Sequence, residues 1–262
     1  MQNAAFAACR INAAYLPFEV NPARLADALE GVREMNFLGV NLTVPHKILA
    51  VKLLDEINDF SKVFGAVNTV RRKGDTLVGY NTDGYGLVMG LRDDFGLRLR
   101  GKSILILGAG GAGRAAAIQC ALEGASWIGI ANRTAERAKE LVEEAKWANK
   151  RVSVEALPMD ERILRGATRD ADLVINATSL GLKKEDPSPL SPGCFRRGLL
   201  AYDMIYRPAK TPFTSAAQKG GARTAGGASM LLHQGAKSFE IWTGRRAPVS
   251  AMRRALLRSL KK

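Results

Sequence analysis

Histidine is almost missing from this chain, with only His46 and His233 present. A multi-histidine zinc site is thereby excluded. Cysteine is scarce as well. Cys9, Cys120 and Cys194 are odd in number and far apart, so they make neither a disulfide framework nor a CxxC metal site. A reducing cytoplasm is the simplest setting for them, and no metal is expected. Aromatic residues account for 6% of the chain, too few for a base-stacking platform. No apolar run is long enough to span a bilayer, and Met1–Arg10 lacks a basic stretch leading into an apolar one. Neither a membrane span nor a signal peptide is expected.

Acid is short relative to base. The 25 Asp and Glu against 39 Lys and Arg leave a net charge of +14. The excess is spread along the chain, with one concentration after Trp242, where Arg245, Arg246, Arg253, Arg254, Arg258, Lys261 and Lys262 occur without an acid. No nucleic-acid-binding motif accompanies them, so the charge reads as a solvated surface that steers small anions.

What is present is ordinary in bulk and specific in pattern. The 262 residues are 47% hydrophobic and 24% charged, as in a soluble protein of one large or two modest domains. Ser103–Leu107 is a short apolar run suited to a buried parallel strand. Gly108-Ala109-Gly110-Gly111-Ala112-Gly113 follows at once, and Arg114–Glu123 is Ala-rich and helical. Trp127–Ala131, Asp172–Asn176 and Leu199–Asp203 read as further strands, and Ala135–Ala148 as a charged helix. Strand alternating with helix implies a doubly wound parallel sheet.

The first part reads differently. Pro22–Gly31 and Pro45–Phe64 are expected to be helices, with a strand at Leu38–Thr43 between them. Thr69–Arg72 and Thr76–Tyr80 alternate across Lys73-Gly74-Asp75, a hairpin signal. Two helices are expected at the end, Ala228–Trp242 and Ser250–Lys262, and a hinge near Asp83–Gly86.

Three constellations carry chemistry. Gly108–Gly113 matches G-x-G-x-x-G between a strand and a helix, where glycines let a pyrophosphate approach the backbone at a helix N-terminus. An NAD site usually offers an acid after the next strand. This chain offers Asn132-Arg133-Thr134 with Arg137 one turn on, and a guanidinium suits a 2′-phosphate, so NADP is favoured over NAD. Second, Asn41-Leu-Thr-Val-Pro-His-Lys47 places Lys47 in a first helical turn, where the dipole disfavours its charge, a condition that suits a proton-transferring group. Third, Gly65-Ala-Val-Asn-Thr69 and Asn81-Thr-Asp-Gly84 lie at the two ends of the proposed hairpin. The hairpin should bring Asn68 and Asp83 together, either as a site for a hydroxylated substrate or as two turn caps.

These motifs, together with Asn176-Ala-Thr-Ser179, Asp203–Pro208 with Thr211-Pro212, and Gln234-Gly235, stand in the order seen in shikimate dehydrogenases, and from residue 1 to about 260 the chain resembles that family. The resemblance implies an α/β fold, with an N-terminal α/β substrate domain and a Rossmann-type doubly wound NADP-binding domain. Residues 1–83 would form the first, residues 84–226 the second, and the last helices, 227–262, would pack back on the first. It implies reversible reduction of 3-dehydroshikimate to shikimate by NADPH. Lys47 and Asp83 match the catalytic pair; Thr43, Asn68, Tyr206 and Gln234 match substrate contacts. Asn132, Arg133, Thr134 and Arg137 match the clamp on the adenosine 2′-phosphate, and Met204 and Gly227 positions beside the nicotinamide. Asp59 falls at another position associated with the cofactor. His46 and His233 read as structural neighbours. A shikimate or quinate dehydrogenase using NAD is the near alternative, and Arg133 argues against it. The expected partner is a small-molecule substrate, bound by a monomer or homodimer.

In one respect the chain departs from the family, which begins with a V-x-G-x-P strand and a Ser-x-Ser element that binds the substrate carboxylate. Met1-Gln-Asn-Ala-Ala-Phe6 aligns inside the helix that follows them. The expectation is an internal methionine taken as a start, a sheet one strand short with exposed backbone and apolar surface, and weakened substrate binding. A truncated, inactive cofactor-binding homologue is the alternative from a different class.

Overall fold

The computed structural model describes residues 1–183 and 185–260. Lys261 and Lys262, expected to end the last helix, lie outside the described residues. The chain divides into two compact units, Met1–Gly86 with the residues from Leu232 onward, and Leu87–Leu231. The expected boundaries at 83/84 and 226/227 fall slightly earlier. Both divisions lie within continuous helices, α5 (Asp83–Phe95) and α10 (Ala228–Thr243), and the expected hinge at Asp83–Gly86 is the first turn of α5.

The first unit is built on a mixed four-stranded sheet in the order β1 (Gly39–Asn41), β3 (Thr69–Lys73), β4 (Thr76–Tyr80), β2 (Glu56–Ile57). The hairpin β3–β4 pairs Thr69 with Tyr80 and Lys73 with Thr76, so the residues just beyond its open end, Asn68 and Asn81, are forced side by side. β2 pairs parallel to β4, and β1 antiparallel to β3. Leu25, Leu29 and Val32 of α2 (Leu25–Glu34) bury at i, i+4 and i+7 against Val67, Val70 and Leu77. Each such side chain contributes roughly 1.5–3 kcal/mol on burial. Helix α1 (Gln2–Ala8) packs on α11 (Val249–Leu260), and the Phe6 and Phe239 rings lie 5.6 Å apart.

One expectation for this unit is corrected. Pro45–Phe64 is not a single helix. It breaks into α3 (His46–Leu49), a 3-10 turn at Ala50–Lys52, β2, and α4 (Asp59–Lys62). The cause is tertiary. The Asp55 carboxylate accepts from the Leu77 amide at 2.6 Å and pairs with Arg33, which pulls the following residues into register with Val78 and Gly79. A continuous helix would forfeit those bonds.

Among the described residues β1 has a partner on one side only. Along this unit a groove of about 880 Å³ is lined by residues that include Tyr15, Phe18, Val32, Phe37, Val40 and Trp242. Leu16, Phe18 and Met35 are each more than 60% exposed, an apolar surface of the kind expected where a sheet edge is open.

The second unit is a six-stranded, all-parallel sheet in the order β10 (Arg223–Gly226), β9 (Leu200–Asp203), β8 (Leu173–Asn176), β5 (Ser103–Leu107), β6 (Trp127–Ala131), β7 (Ser153–Leu157). The order reverses between β5 and β8, so the carboxyl ends of these two strands form the crevice where this fold takes ligands. Ile104, Leu105, Ile106 and Leu107 are fully buried, with α6 (Gly111–Leu122) and α7 (Ala135–Ala148) covering one face. The run Ala115–Ala117 lets α6 approach the sheet closely. Elements not anticipated are α5, β7, α8 (Glu161–Asp170), α9 (Pro212–Lys219) and β10.

Candidate active site

Lys47 is the second residue of α3, directly after β1. Its amide donates to the Thr43 carbonyl at 3.3 Å, and its own carbonyl accepts from Val67 at 2.8 Å. These bonds tie the short helix to the segment entering β3. Asn68 is the last residue before β3, and Asp83 opens α5 just after β4. An Asx turn, in which the Asp83 amide donates to Asn81 Oδ1 at 3.0 Å, sets the direction of the helix start.

The hairpin therefore converts residues 15 apart in sequence into neighbours. Lys47 Nζ donates to Asp83 Oδ2 at 2.7 Å. Asn68 Nδ2 donates to Asp83 Oδ1 at 2.8 Å and lies 3.1 Å from Gln234 Oε1, on α10. The lysine and aspartate side chains are 26% and 15% exposed, so the pair is shielded yet open to a small molecule. Asn68 is buried, and its amide is held by a full set of partners. Oδ1 accepts from the Thr82 amide at 2.9 Å and from Thr69 Oγ1 at 3.0 Å, which leaves the NH2 group to face the carboxylate.

Of the residues expected in the substrate site, the structure brings Lys47, Asp83, Asn68 and Gln234 together. Thr43 is exposed on the turn before α3. Asp59 is on the surface of the first unit, 93% exposed and paired with Lys62 at 2.6 Å. His46 Nε2 meets the Val20 carbonyl at 2.9 Å, a structural contact. Sequence reasoning missed Thr69 and Thr82, although both sit inside quoted motifs, and Ser238 entirely. The available signal for Ser238 was its i+4 spacing from Gln234.

The second unit carries the glycine turn between β5 and α6. Gly108 has φ +103°, and a β-carbon there would crowd the Ala177 carbonyl at 3.0 Å. A β-carbon at Gly113 would overlap the Gly108 carbonyl oxygen, so the close turn between β5 and α6 requires both glycines. Gly110 is the N-cap of α6 and supplies no side-chain acceptor, and a β-carbon at Gly110 or Gly111 would meet open space. No side chain at Gly110 or Gly111 stands before the first-turn amides, including that of Ala112, an arrangement suited to an anion. The Ala109 amide donates to Asn132 Oδ1 at 3.1 Å, and Asn132 Nδ2 donates to the Thr134 carbonyl at 2.9 Å. Asn132 so links the turn after β5 to the turn after β6. Arg133 lies just before α7 and Arg137 in its first turn; both are exposed, and neither forms an ion pair among the described residues.

At the ends of β8 and β9, the buried Asp203 carboxylate accepts from Asn176 Nδ2 at 3.1 Å, the Ile205 amide at 3.0 Å and Thr211 Oγ1 at 2.5 Å. Burial raises its pKa, and these hydrogen bonds oppose the rise. The network shapes the loop carrying Met204 and Tyr206, the latter 44% exposed. A β-carbon at Gly227 would overlap the Met204 carbonyl oxygen.

Family models match three segments. Residues 1–70 match the shikimate dehydrogenase substrate binding domain, residues 91–182 the shikimate / quinate 5-dehydrogenase domain, and residues 227–257 the shikimate 5'-dehydrogenase C-terminal domain. The chain is 42% identical over its full length to a shikimate dehydrogenase (NADP(+)) of Geobacter metallireducens, covering 92% of that protein. The chain belongs to the shikimate dehydrogenase family. A second member, from Methanopyrus kandleri, is 40% identical across 100% of this chain and 90% of its own length. Among solved structures of the family, the enzyme of Thermus thermophilus in complex with NADP(H) and shikimate matches with a TM-score of 0.87 at 36% identity, over 99% of this chain and 93% of that one.

Proposed function

We infer that this protein catalyses the reversible reduction of 3-dehydroshikimate to shikimate with NADPH, in the formation of aromatic amino acids. The observation that carries the reading is the Lys47–Asp83 pair at 2.7 Å, with Asn68 and Gln234 converging on it. Full-length likeness to NADP(+)-dependent members of the family supports it.

NADPH, when bound, supplies the hydride. The residues of this chain do the rest. Lys47 donates a proton to the substrate carbonyl oxygen during reduction and recovers it during oxidation. Asp83 holds the ammonium in place through Oδ2 and accepts from a substrate hydroxyl. Asn68 and Gln234 present amide groups to the remaining hydroxyls, and Thr43 and Tyr206 are assigned as further substrate contacts. The glycine turn Gly108–Gly111 with Ala112 would hold the pyrophosphate, Arg133 and Arg137 with Asn132 and Thr134 would hold the 2′-phosphate, and Met204 and Gly227 would contact the nicotinamide. Asp59 is retained as a further residue associated with the cofactor.

Two guanidinium groups without an anionic partner among the described residues favour NADP over NAD, because a plain ribose would leave both uncompensated. The proposed domains are a substrate unit at 1–83 with 227–262 and a cofactor unit at 84–226. Three free thiols support a reducing cytoplasm as the location.

The test is oxidation of shikimate followed through the reduced nicotinamide, with NADP+ and NAD+ compared, and quinate as a second substrate. The expected result is turnover of shikimate with a strong preference for NADP+. Preference for quinate with NAD+ would overturn the assignment.

A further inference from the structure

Ser238 plays no part in the reading above, yet it is completely buried among the groups that hold the site. It lies one turn beyond Gln234 on α10, so the two side chains leave the same helix face. Gln234 reaches Asn68, and Ser238 Oγ lies 2.8 Å from the hydroxyl of the next residue, Thr69. Asn41 Nδ2, on β1, donates to Thr69 Oγ1 at 3.0 Å and to Ser238 Oγ at 3.2 Å.

The proton inventory assigns the directions. Thr69 has one hydroxyl hydrogen, and it goes to Asn68 Oδ1 at 3.0 Å. Ser238 is then the donor toward Thr69, and it shares that hydrogen with the Gln234 carbonyl at 3.0 Å. One hydroxyl thus joins the backbone at Gln234 to Thr69, the first residue of β3 and the neighbour of Asn68, and, through Asn41, to β1.

We propose that Ser238 is a positioning residue, which holds the Gln234 turn of α10 at the distance from Asn68 that substrate binding requires. The proposal rests on the reading of this cluster as the substrate site. Ser238 hydrogen-bonds neither Lys47 nor Asp83 among the described residues. Its loss therefore bears on substrate affinity and leaves proton transfer in place. Alanine at this position removes the tie between Thr69 and α10, while Asn41 keeps the Asn68 carbonyl and Thr69 Oγ1 as acceptors, so what is lost is the restraint on the helix turn.

The experiment is a double-mutant cycle of Ser238→Ala and Gln234→Ala in the full chain, with KM for shikimate, kcat and NADP+ affinity measured for each protein. Ser238→Ala is expected to raise KM by about five- to tenfold, on the scale of one buried hydrogen bond. The expected change in kcat is less than about twofold, and NADP+ affinity should hold, which also reports an intact fold. In the Gln234→Ala background, Ser238→Ala should add less than about a further twofold, because the residue it positions is gone. An unchanged KM in Ser238→Ala, or the same fold-rise in both backgrounds, overturns the proposal. If Gln234→Ala itself leaves KM for shikimate unaltered, the assignment of the substrate site has failed, and this inference with it.

Discussion

Asn68 occupies one carboxylate oxygen of Asp83 and leaves the other to Lys47, at 2.8 and 2.7 Å respectively. The division follows from donor and acceptor rules. The Thr82 amide can only donate, so it fixes Asn68 Oδ1 at 2.9 Å and turns the NH2 group toward the carboxylate. Asp83 is consequently held by one bond on each oxygen, which leaves lone pairs for a substrate hydroxyl and aims Lys47 through a partner fixed on its other side. Two segments that are remote in sequence from Lys47 determine where its ammonium stands.

Replacing Lys47 with alanine removes the proposed proton donor while leaving the second unit untouched. The kcat for shikimate should fall by about 10²–10⁴, the usual contribution of general acid–base catalysis. NADP+ affinity, measured by fluorescence quenching, should stay within about twofold. Equal loss of both would contradict the role assigned to Lys47.

Arg133 is exposed and unpaired among the described residues, so its truncation costs little stability. Arg133→Ala should weaken NADPH by roughly tenfold or more, since a hydrogen bond to a charged group contributes about 1.5–3 kcal/mol. NADH affinity should be nearly unchanged. A uniform loss for both nucleotides would show that Arg133 does not read the 2′-phosphate.

Gly227 has no room for a side chain against the Met204 carbonyl. Gly227→Ala forces that backbone apart, at a cost of about 1–3 kcal/mol typical of overpacking. The expected outcome is a lower melting temperature together with weaker NADP+ binding. Wild-type stability in this variant would mean that the two segments yield without cost.

Asp55 gives a pH-dependent prediction. Its carboxylate is held below the usual range, chiefly by the Leu77 amide and also by Arg33. A depressed folded-state pKa contributes stability above the unfolded value of about 3.9 and loses it as pH falls through the folded value. Asp55→Ala should therefore unfold at lower urea at neutral pH, by about 0.5–1 kcal/mol after allowing for solvent screening of a side chain that is 42% exposed. The gap between variant and wild type should narrow below about pH 4. A gap independent of pH would assign the effect to packing alone.

Local patterning was enough for much of the second unit. Ser103–Leu107, Trp127–Ala131 and Ala135–Ala148 are found with the bounds read from apolar runs and turn residues. Those elements are buried on both faces of a parallel sheet or carry a clear helical stripe, so composition alone marks them. Helix α9 was legible in principle. Thr211 caps it by accepting from the Thr214 amide at 3.2 Å, with Pro212 in the first turn, a start signal that went unused. Helix α8 likewise carries an Asp160 cap on Ile163 at 3.0 Å.

The sequence by itself determined the glycine turn, the run Asn132-Arg133-Thr134 and the proximity of Asn68 to Asp83, because a tight hairpin and a strand–helix turn are short-range events with few solutions. The tertiary structure alone decided that Pro45–Phe64 would break, since the Asp55 bond to Leu77 and the pairing of β2 with β4 reward the chain only once the hairpin exists. It alone decided, too, that Gln234 and Ser238 would meet Asn68 and Thr69. Those contacts span 166 and 169 residues, and no local preference encodes a partner at that range; burial of α10 and the need to satisfy every polar group beneath it does.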